Sequence, residues 1–165
     1  MISELKRIEN SIFRIARQEI FNVSIEKECE EYFGFNFQLS QRNVKFRKAK
    51  ITPKKIGQFV TLWKRNSENQ TEPFNINDDF DFYIIVAEQD GEFGFFFFPK
   101  SILCKNKVLT INDDIGKRGF RVYPNWVKTG SRQAEKTKSW QNEYFIDLNS
   151  EIESIRKFNL ILTSN

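Results

Sequence analysis

The stretch from Phe82 to Phe98 constrains the fold more than any other part of the sequence. Phe82 to Glu88 is a largely apolar run typical of a buried strand, and Phe93 to Phe98 is a second such run. Between them lies Asp90-Gly91, a pair typical of two-residue hairpin turns because both residue types tolerate positive φ. The sequence therefore predicts a buried β-hairpin here.

Further strands are predicted from alternating apolar and polar residues. Phe33 to Leu39 alternates, and after a turn near Gln41 to Asn43 the Val44 and Phe46 pattern continues it, which predicts a second hairpin. Gln58 to Arg65 also alternates. Two shorter strands are predicted at Val108–Ile111 and Glu143–Leu148.

Helices are predicted around these strands. Apolar residues at helical spacing indicate an amphipathic helix over about residues 3–20. An acidic helix is predicted from Ile25 to about Tyr32, one helical turn after Pro99, and a helix from Ser131 to about Trp140. Residues 151–165 are expected to form a peripheral tail, a short helix or strand with a loose end.

We therefore expect one α+β domain over residues 1–165. Its mixed or mostly antiparallel sheet of about six to eight strands would curl into an open β pseudobarrel, with the first helix and the Ser131 helix outside.

The amino-acid composition limits the kinds of catalytic and metal sites that the chain can form. The chain has no histidine, which excludes histidine triads, histidine-ligated metals and histidine general bases. Cys29 and Cys104 lie far apart without a CxxC motif, so neither a zinc site nor a disulfide framework is indicated. There is no glycine-rich nucleotide loop. We expect no catalytic residues, no metal and no cofactor.

Cysteine usage and hydropathy predict a location. The first residues lack a signal-peptide pattern, and the longest apolar run, Phe93–Phe98, is too short to span a bilayer. Unpaired cysteines fit a reducing compartment. We expect a cytoplasmic, soluble protein with no membrane partner.

Three aspartates before the central hairpin present an alternative. Asp78, Asp79 and Asp81 could belong to a metal-dependent nuclease, but no later strand carries the Glu-x-Lys or Asp-x-Lys pattern that such a site needs. Aspartates that cap or form turns are the favoured interpretation.

The segment Arg42–Arg65 holds nine basic residues and no acidic one. Since the whole chain carries +4, the remainder sums to −5 (+4 minus +9). Thr52 before Pro53 predicts the start of a helical turn, with Lys54 and Lys55 beside its free amides. Such a turn favours the binding of a phosphate group, because free backbone amides and the positive end of a helix dipole attract negative charge. The alternative is a solvated, lysine-rich surface.

A second basic and aromatic cluster follows. Lys117, Arg118 and Arg121 stand beside Phe120, Tyr123 and Trp126. Arginine with aromatic side chains suits phosphate contact and base stacking. A strand with outward arginines and inward aromatic rings would give the same pattern.

Several stretches resemble one known family. The runs KITPKKIGQFVTLWKR, FDFYIIVAEQDGEFGFFFFPKSIL, GKRGFRVYPNW and QAEKTKSWQNEYF, in this order, resemble the MepB-like family of small bacterial proteins, some encoded beside multidrug-efflux genes and some by phages. The resemblance covers about Phe33 to Phe145. It implies an association with tolerance of toxic compounds, including nucleoside analogues, and a β pseudobarrel similar to the DNA-binding domains of certain restriction enzymes. It supplies no catalytic residues.

We expect non-enzymatic binding of double-stranded DNA. The candidate phosphate or base ligands are Arg47, Lys50, Thr52, Lys54, Lys55, Lys64, Arg65, Lys100, Lys117, Arg118 and Arg121. The candidates for base stacking are Trp63, Tyr123 and Trp126. One rival is a protein that binds or processes small phosphorylated nucleosides with the same residues. Another is an accessory module that binds a second protein of a resistance system.

Overall fold

Two long, buried strands form the centre of the computed structural model, which describes residues 2–164. In chain order the strands are β1 (Ile20–Ile25), β2 (Phe35–Leu39), β3 (Arg42–Lys48), β4 (Lys50–Ile51), β5 (Gln58–Thr61), β6 (Trp63–Arg65), β7 (Thr71–Pro73), β8 (Phe82–Gln89), β9 (Glu92–Pro99), β10 (Gly119–Val122) and β11 (Phe145–Asp147). The α-helices are α1 (Ser3–Ile8), α2 (Lys100–Lys105), α3 (Arg132–Asn142) and α4 (Glu151–Thr163). A π-helix covers Glu9–Phe13, and a 3₁₀ segment covers Lys27–Tyr32.

Six of these strands form one mixed sheet, in the order β1-β2-β3-β8-β9-β11. β8 and β9 make the predicted hairpin, and its turn residues Asp90 (φ 51°) and Gly91 (φ 86°) both have positive φ. β2 and β3 make the second predicted hairpin, while β3 and β8 pair in parallel. The predicted α+β class with a mixed sheet and flanking helices is confirmed, and the sheet does not close into a barrel.

An apolar core lies on each face of the main sheet. Alternation along β9 sends Phe95 and Phe97 into the first core and Phe96 and Phe98 into the second. The first core also contains residues of α1, the π-helix and α4, and the second contains residues of β5, β10 and α2. The central strands are therefore buried on both sides.

A small sheet, in the order β10-β5-β4, borders the second core. The predicted strand Gln58–Arg65 is interrupted at Leu62, whose side chain is fully buried and whose N–H donates to the Arg118 carbonyl at 2.8 Å. β6 continues after the break and pairs with β7. The predicted strand at Val108–Ile111 is present only as isolated bridges, Asn75 with Thr110 and Ile111 with Asp114.

The N-terminal segment differs from the single helix predicted over residues 3–20. α1 continues as the π-helix, and the chain turns at Arg17, which has φ 57°. Ile20 lies instead in β1, an edge strand that the sequence pattern did not predict. The predicted acidic helix is a 3₁₀ segment with a kink at Cys29.

The C-terminal segment contributes to the core rather than forming a loose tail. α4 places Phe158 in the first core, where its ring stacks on Phe97 at 4.9 Å. Within residues 2–164, no helix has the length and apolar character needed to cross a membrane.

Candidate nucleic-acid interface

Most cations of the Arg42–Arg65 segment are paired with acidic side chains. The paired ones are Lys45, Arg47, Lys48, Lys50, Lys64 and Arg65. Lys54 and Lys55 form no ion pair with any residue from 2 to 164. The basic pole predicted from the sequence is therefore largely neutralised within the fold.

Arg47 was expected to contact DNA, but its side chain is fully buried. One of its terminal nitrogens donates to the Phe46 carbonyl at 2.8 Å, and the other pairs with the Glu26 carboxylate. Burial lowers the pKa of Arg47, because the charged form loses its hydration. The prediction of exposure was wrong because it assumed that one face of β3 meets solvent, whereas both faces are covered.

An acidic segment, residues 26–31, supplies many of the partners. Glu26 pairs with Lys45 and Arg47. Glu28 lies 3.2 Å from Arg65, and Glu31 lies 3.3 Å from Lys50. The acidic segment therefore covers part of the cationic surface of β3, β4 and β6. Lys50 and Arg65 are partly exposed, but each forms an ion pair with this segment.

The predicted phosphate turn is present as a turn and not as the start of a helix. Lys54 has φ 65° and Gly57 has φ 81°, so residues 52–57 do not present a row of helical amides. The Arg121 guanidinium holds the turn by donating to the Ile56 carbonyl at 3.3 Å, to the Gly57 carbonyl at 3.2 Å and to the Thr52 hydroxyl. The tip, which includes Lys54 and Lys55, is exposed. Thr52 and Arg121 therefore position two free lysines.

Tyr123 supports the same turn. A Cβ on Gly57 would lie 2.7 Å from the Tyr123 ring, and the positive φ of Gly57 also favours glycine. The Tyr123 N–H donates to the Gln141 side chain at 2.8 Å. Tyr123 is therefore fixed between the turn and α3, with its ring half-buried.

The second predicted cluster contains both free and engaged cations. Lys117 is exposed and has no ion pair within residues 2–164. Arg118 donates through two nitrogens to the Thr71 carbonyl, at 3.1 and 3.2 Å, which ties the β10 end to β7. Lys128, which was not among the predicted ligands, lines one cleft together with Lys55; Asp90 and Glu92 line the same cleft but form no ion pair with either lysine.

These contacts connect five cations into one surface. Arg121 holds the turn that carries Lys54 and Lys55 and shares a cleft with Lys117, and Lys55 shares a second cleft with Lys128. We name these residues the outer basic face: Lys54, Lys55, Lys117, Arg121 and Lys128. Within the described chain, none of them is paired with a carboxylate.

The remaining candidates lie elsewhere. Lys64 pairs with Asp78 at 2.6 Å, and Lys100 donates to the Asp78 carbonyl. The Trp63 ring is covered by the Arg65 guanidinium at 5.4 Å. Trp126 packs edge-on against Phe145 at 5.5 Å and lines the cleft that contains Lys128. Of the three stacking candidates, Tyr123 and Trp126 therefore adjoin the outer basic face.

The three aspartates have structural partners. Asp78 accepts from the Asn75 N–H at 2.6 Å, Asp79 from the Asn43 side chain at 2.8 Å and Asp81 from the Asn43 N–H at 2.8 Å. Asp79 and Asp81 fasten the chain before β8 to the start of β3, whereas Asp78 closes a local turn and pairs with Lys64. Among residues 2–164 no group of three metal-ligating side chains is present.

A second stretch of the sequence also carries an excess of basic residues and indicates where this surface lies. From Lys100 to Lys138 there are ten Lys and Arg residues against three Asp and Glu, a net +7 (+10 minus +3). Its basic residues are spread over a longer stretch than those of Arg42–Arg65, so its charge pattern is less apparent in the sequence. Among residues 2–164 none of its cations forms an ion pair with a carboxylate, whereas the acidic segment pairs with cations of β3, β4 and β6.

Comparison with known proteins places the chain among relatives. The MepB-like family model matches residues 26–147. A solved structure described as the crystal structure of MepB is similar, with 29% sequence identity and a TM-score of 0.79, covering 91% of this chain and 99% of that one. No curated protein matches.

Proposed function

The chain belongs to the MepB-like family, and from this premise we propose that it is a non-enzymatic protein that binds double-stranded DNA through the outer basic face. The observation that carries the proposal is a surface of five cations that form no ion pair among residues 2–164, whereas six other cations of the Arg42–Arg65 segment are paired with acidic side chains. Cations placed along a duplex displace its condensed counterions, which drives association.

The Lys54–Lys55 turn supports the proposal because it is anchored before any ligand arrives. Three hydrogen bonds from Arg121 fix the turn base, so little backbone ordering remains to be completed on binding. Lysines on such a projection suit phosphate contacts, which position a protein on DNA without reading its sequence.

A salt titration tests the proposal. Fluorescence anisotropy of a labelled short duplex should show binding at low salt, and a plot of log K against log salt should have a slope of about −4.5 if the five cations contact phosphates. Two duplexes of unrelated sequence should give similar slopes. Absence of binding at low salt, or binding that ignores salt, would refute the proposal.

The non-enzymatic part has its own test. Purified protein with Mg²⁺ should leave plasmid DNA intact, because all three aspartates are engaged in structural hydrogen bonds, Asp79 and Asp81 with Asn43 and Asp78 with Asn75. Metal-dependent nicking that disappears in Asp81→Ala would overturn this part. A cytoplasmic location and a role in tolerance of nucleoside analogues are further proposals, supported by cysteine usage and by the family resemblance respectively.

A further inference from the structure

A cleft between β10 and α3 adjoins the outer basic face and has a volume of about 350 Å³. Small-molecule sites typically have volumes of about 300–1,000 Å³, so the cleft is large enough for one small ligand. Its walls are the side of β10, the first three turns of α3 and the end of α2, and its rim is open to solvent.

Aromatic rings line part of the cleft. Phe120, Tyr123 and Trp140 all contribute to its walls. Trp140 packs on Phe98 at 5.3 Å and Tyr123 is fixed against Gly57, so these rings are held in place before a ligand arrives. Fixed aromatic side chains are the usual stacking partners of single nucleobases.

Positive charge stands at the same cleft. Lys117 lines it, is exposed, and has no ion pair among the residues described. Arg121 adds a second cation whose position the Thr52 turn fixes. α3 begins at Ser131 on the cleft wall, which adds the positive end of its dipole. This arrangement of positive charge favours the binding of a phosphate group in the cleft.

Amide and hydroxyl side chains complete the walls. Gln133 and Thr137 project from α3, and Asn106 stands at the end of α2. Gln141 is fully buried and holds the two walls together: its oxygen accepts from the Tyr123 N–H at 2.8 Å, and its nitrogen donates to the Arg121 carbonyl at 2.9 Å. The cleft is therefore preorganised and offers donors and acceptors to the edge of a base.

We infer that this cleft binds a single nucleotide, with its phosphate at Lys117 and its base against Tyr123 or Trp140. The nucleotide is either a free nucleoside 5′-monophosphate or an unpaired nucleotide of a DNA strand, since both present the same chemistry. The cleft shares Lys117 and Arg121 with the outer basic face, so a mononucleotide and a duplex can compete for these two cations.

Calorimetry with the four deoxynucleoside 5′-monophosphates tests the inference, with inorganic phosphate as the probe for charge alone. Lys117→Ala should weaken binding about tenfold, because a charge-assisted hydrogen bond is lost. Lys105→Ala removes the same charge from exposed α2 surface outside the cleft and should leave affinity unchanged. Ala134→Phe fills the cleft without altering charge and should abolish mononucleotide binding while the salt-dependent affinity for paired duplex is retained.

A duplex with one bulged nucleotide, compared with its fully paired counterpart, distinguishes the two sources of nucleotide. Monophosphate binding without a preference for the bulge identifies the free nucleotide, whereas a bulge preference that Ala134→Phe removes identifies the strand. The inference is overturned if neither probe binds, if inorganic phosphate binds as tightly as the nucleotides, or if folded Ala134→Phe behaves as wild type. If the wild-type protein does not bind the paired duplex, the proposed function is refuted. The monophosphate titration then still tests whether the cleft binds a nucleotide.

Discussion

The Arg121 guanidinium donates a hydrogen bond to the Thr52 hydroxyl, joining residues 69 positions apart in the sequence. The same guanidinium donates to the carbonyls of Ile56 and Gly57. Two basic segments that are separate in the chain thereby become one surface, and the arginine acts chiefly by positioning Lys54 and Lys55.

Replacing Arg121 with alanine should loosen the turn more than the loss of one charge explains. We expect faster amide hydrogen exchange at Lys55 to Gly57, since the carbonyl anchors are lost. Duplex affinity should fall about tenfold or more, because both lysines lose their fixed position as well as one neighbouring charge. Arg118→Ala is the matched control, because among residues 2–164 the hydrogen bonds of the Arg118 side chain go to the Thr71 carbonyl and not to the turn. Equal effects of the two variants on exchange in the turn would contradict the positioning role.

The fold was predictable where the information is local. The Asp90-Gly91 turn and the apolar runs beside it specify the central hairpin, and the Ser131 hydroxyl caps α3 as predicted by accepting from the Ala134 N–H at 3.1 Å. β1 was missed because Ile20 fits the helical spacing of residues 3–20 and Ile25 was assigned to the acidic helix, although Phe21, Val23 and Ile25 alternate as strand residues do.

The site was less predictable because charge pairing is a tertiary property. Nothing in the residues around Arg47 shows that both faces of β3 are covered. Glu28 and Arg65 are far apart in the chain, so their pairing depends on how the 3₁₀ segment lies against β6. The helix start predicted at Thr52-Pro53 is absent because Lys54 has a positive φ, which a helix does not allow. The turn is instead held by the hydrogen bond from Arg121 to the Thr52 hydroxyl.

The acidic segment should compete with DNA for the cations that it covers. Glu28→Gln frees Arg65, so duplex affinity at low salt should rise and the salt slope should steepen by about one contact. Glu30→Gln is the matched control, since it removes the same charge from the same segment without breaking a recorded ion pair. Anisotropy titrations of both variants measure the difference. If Glu30→Gln raises affinity as much as Glu28→Gln, only net charge matters and the masking account fails.

The buried Arg47–Glu26 pair should matter for stability. Glu26→Gln leaves the fully buried guanidinium without its carboxylate, and we expect the free energy of unfolding to fall by about 3 kcal/mol in urea titrations. Glu30→Gln, at an exposed position, should change it by less than about 0.5 kcal/mol. Similar stabilities for the two variants would show that the pair is not desolvated as described.

The Glu4–Lys48 pair should make stability depend on pH in the acid range. Burial alone would raise the pKa of Glu4, but its hydrogen bonds, chiefly with Lys48, lower the pKa below its ordinary 4.5. The stabilisation is therefore complete above pH 4.5 and is lost as pH falls through the lower, folded-state pKa. Glu4→Gln should be about 1 kcal/mol less stable than wild type at pH 7, with the difference shrinking below pH 4.5. A difference that stays constant from pH 7 to pH 3 would contradict this linkage.

The most direct test of the central claim compares two double variants that each remove two positive charges from the Arg42–Arg65 segment. Lys54→Ala/Lys55→Ala removes cations without acidic partners, whereas Lys50→Ala/Arg65→Ala removes cations that Glu31 and Glu28 already neutralise. Anisotropy titration of a duplex over a range of salt should show that the first variant binds at least about tenfold more weakly, with a salt slope shallower by about two, and that the second changes little. Equal losses in the two variants, with circular dichroism showing both folded, would contradict the claim that the outer basic face holds the DNA.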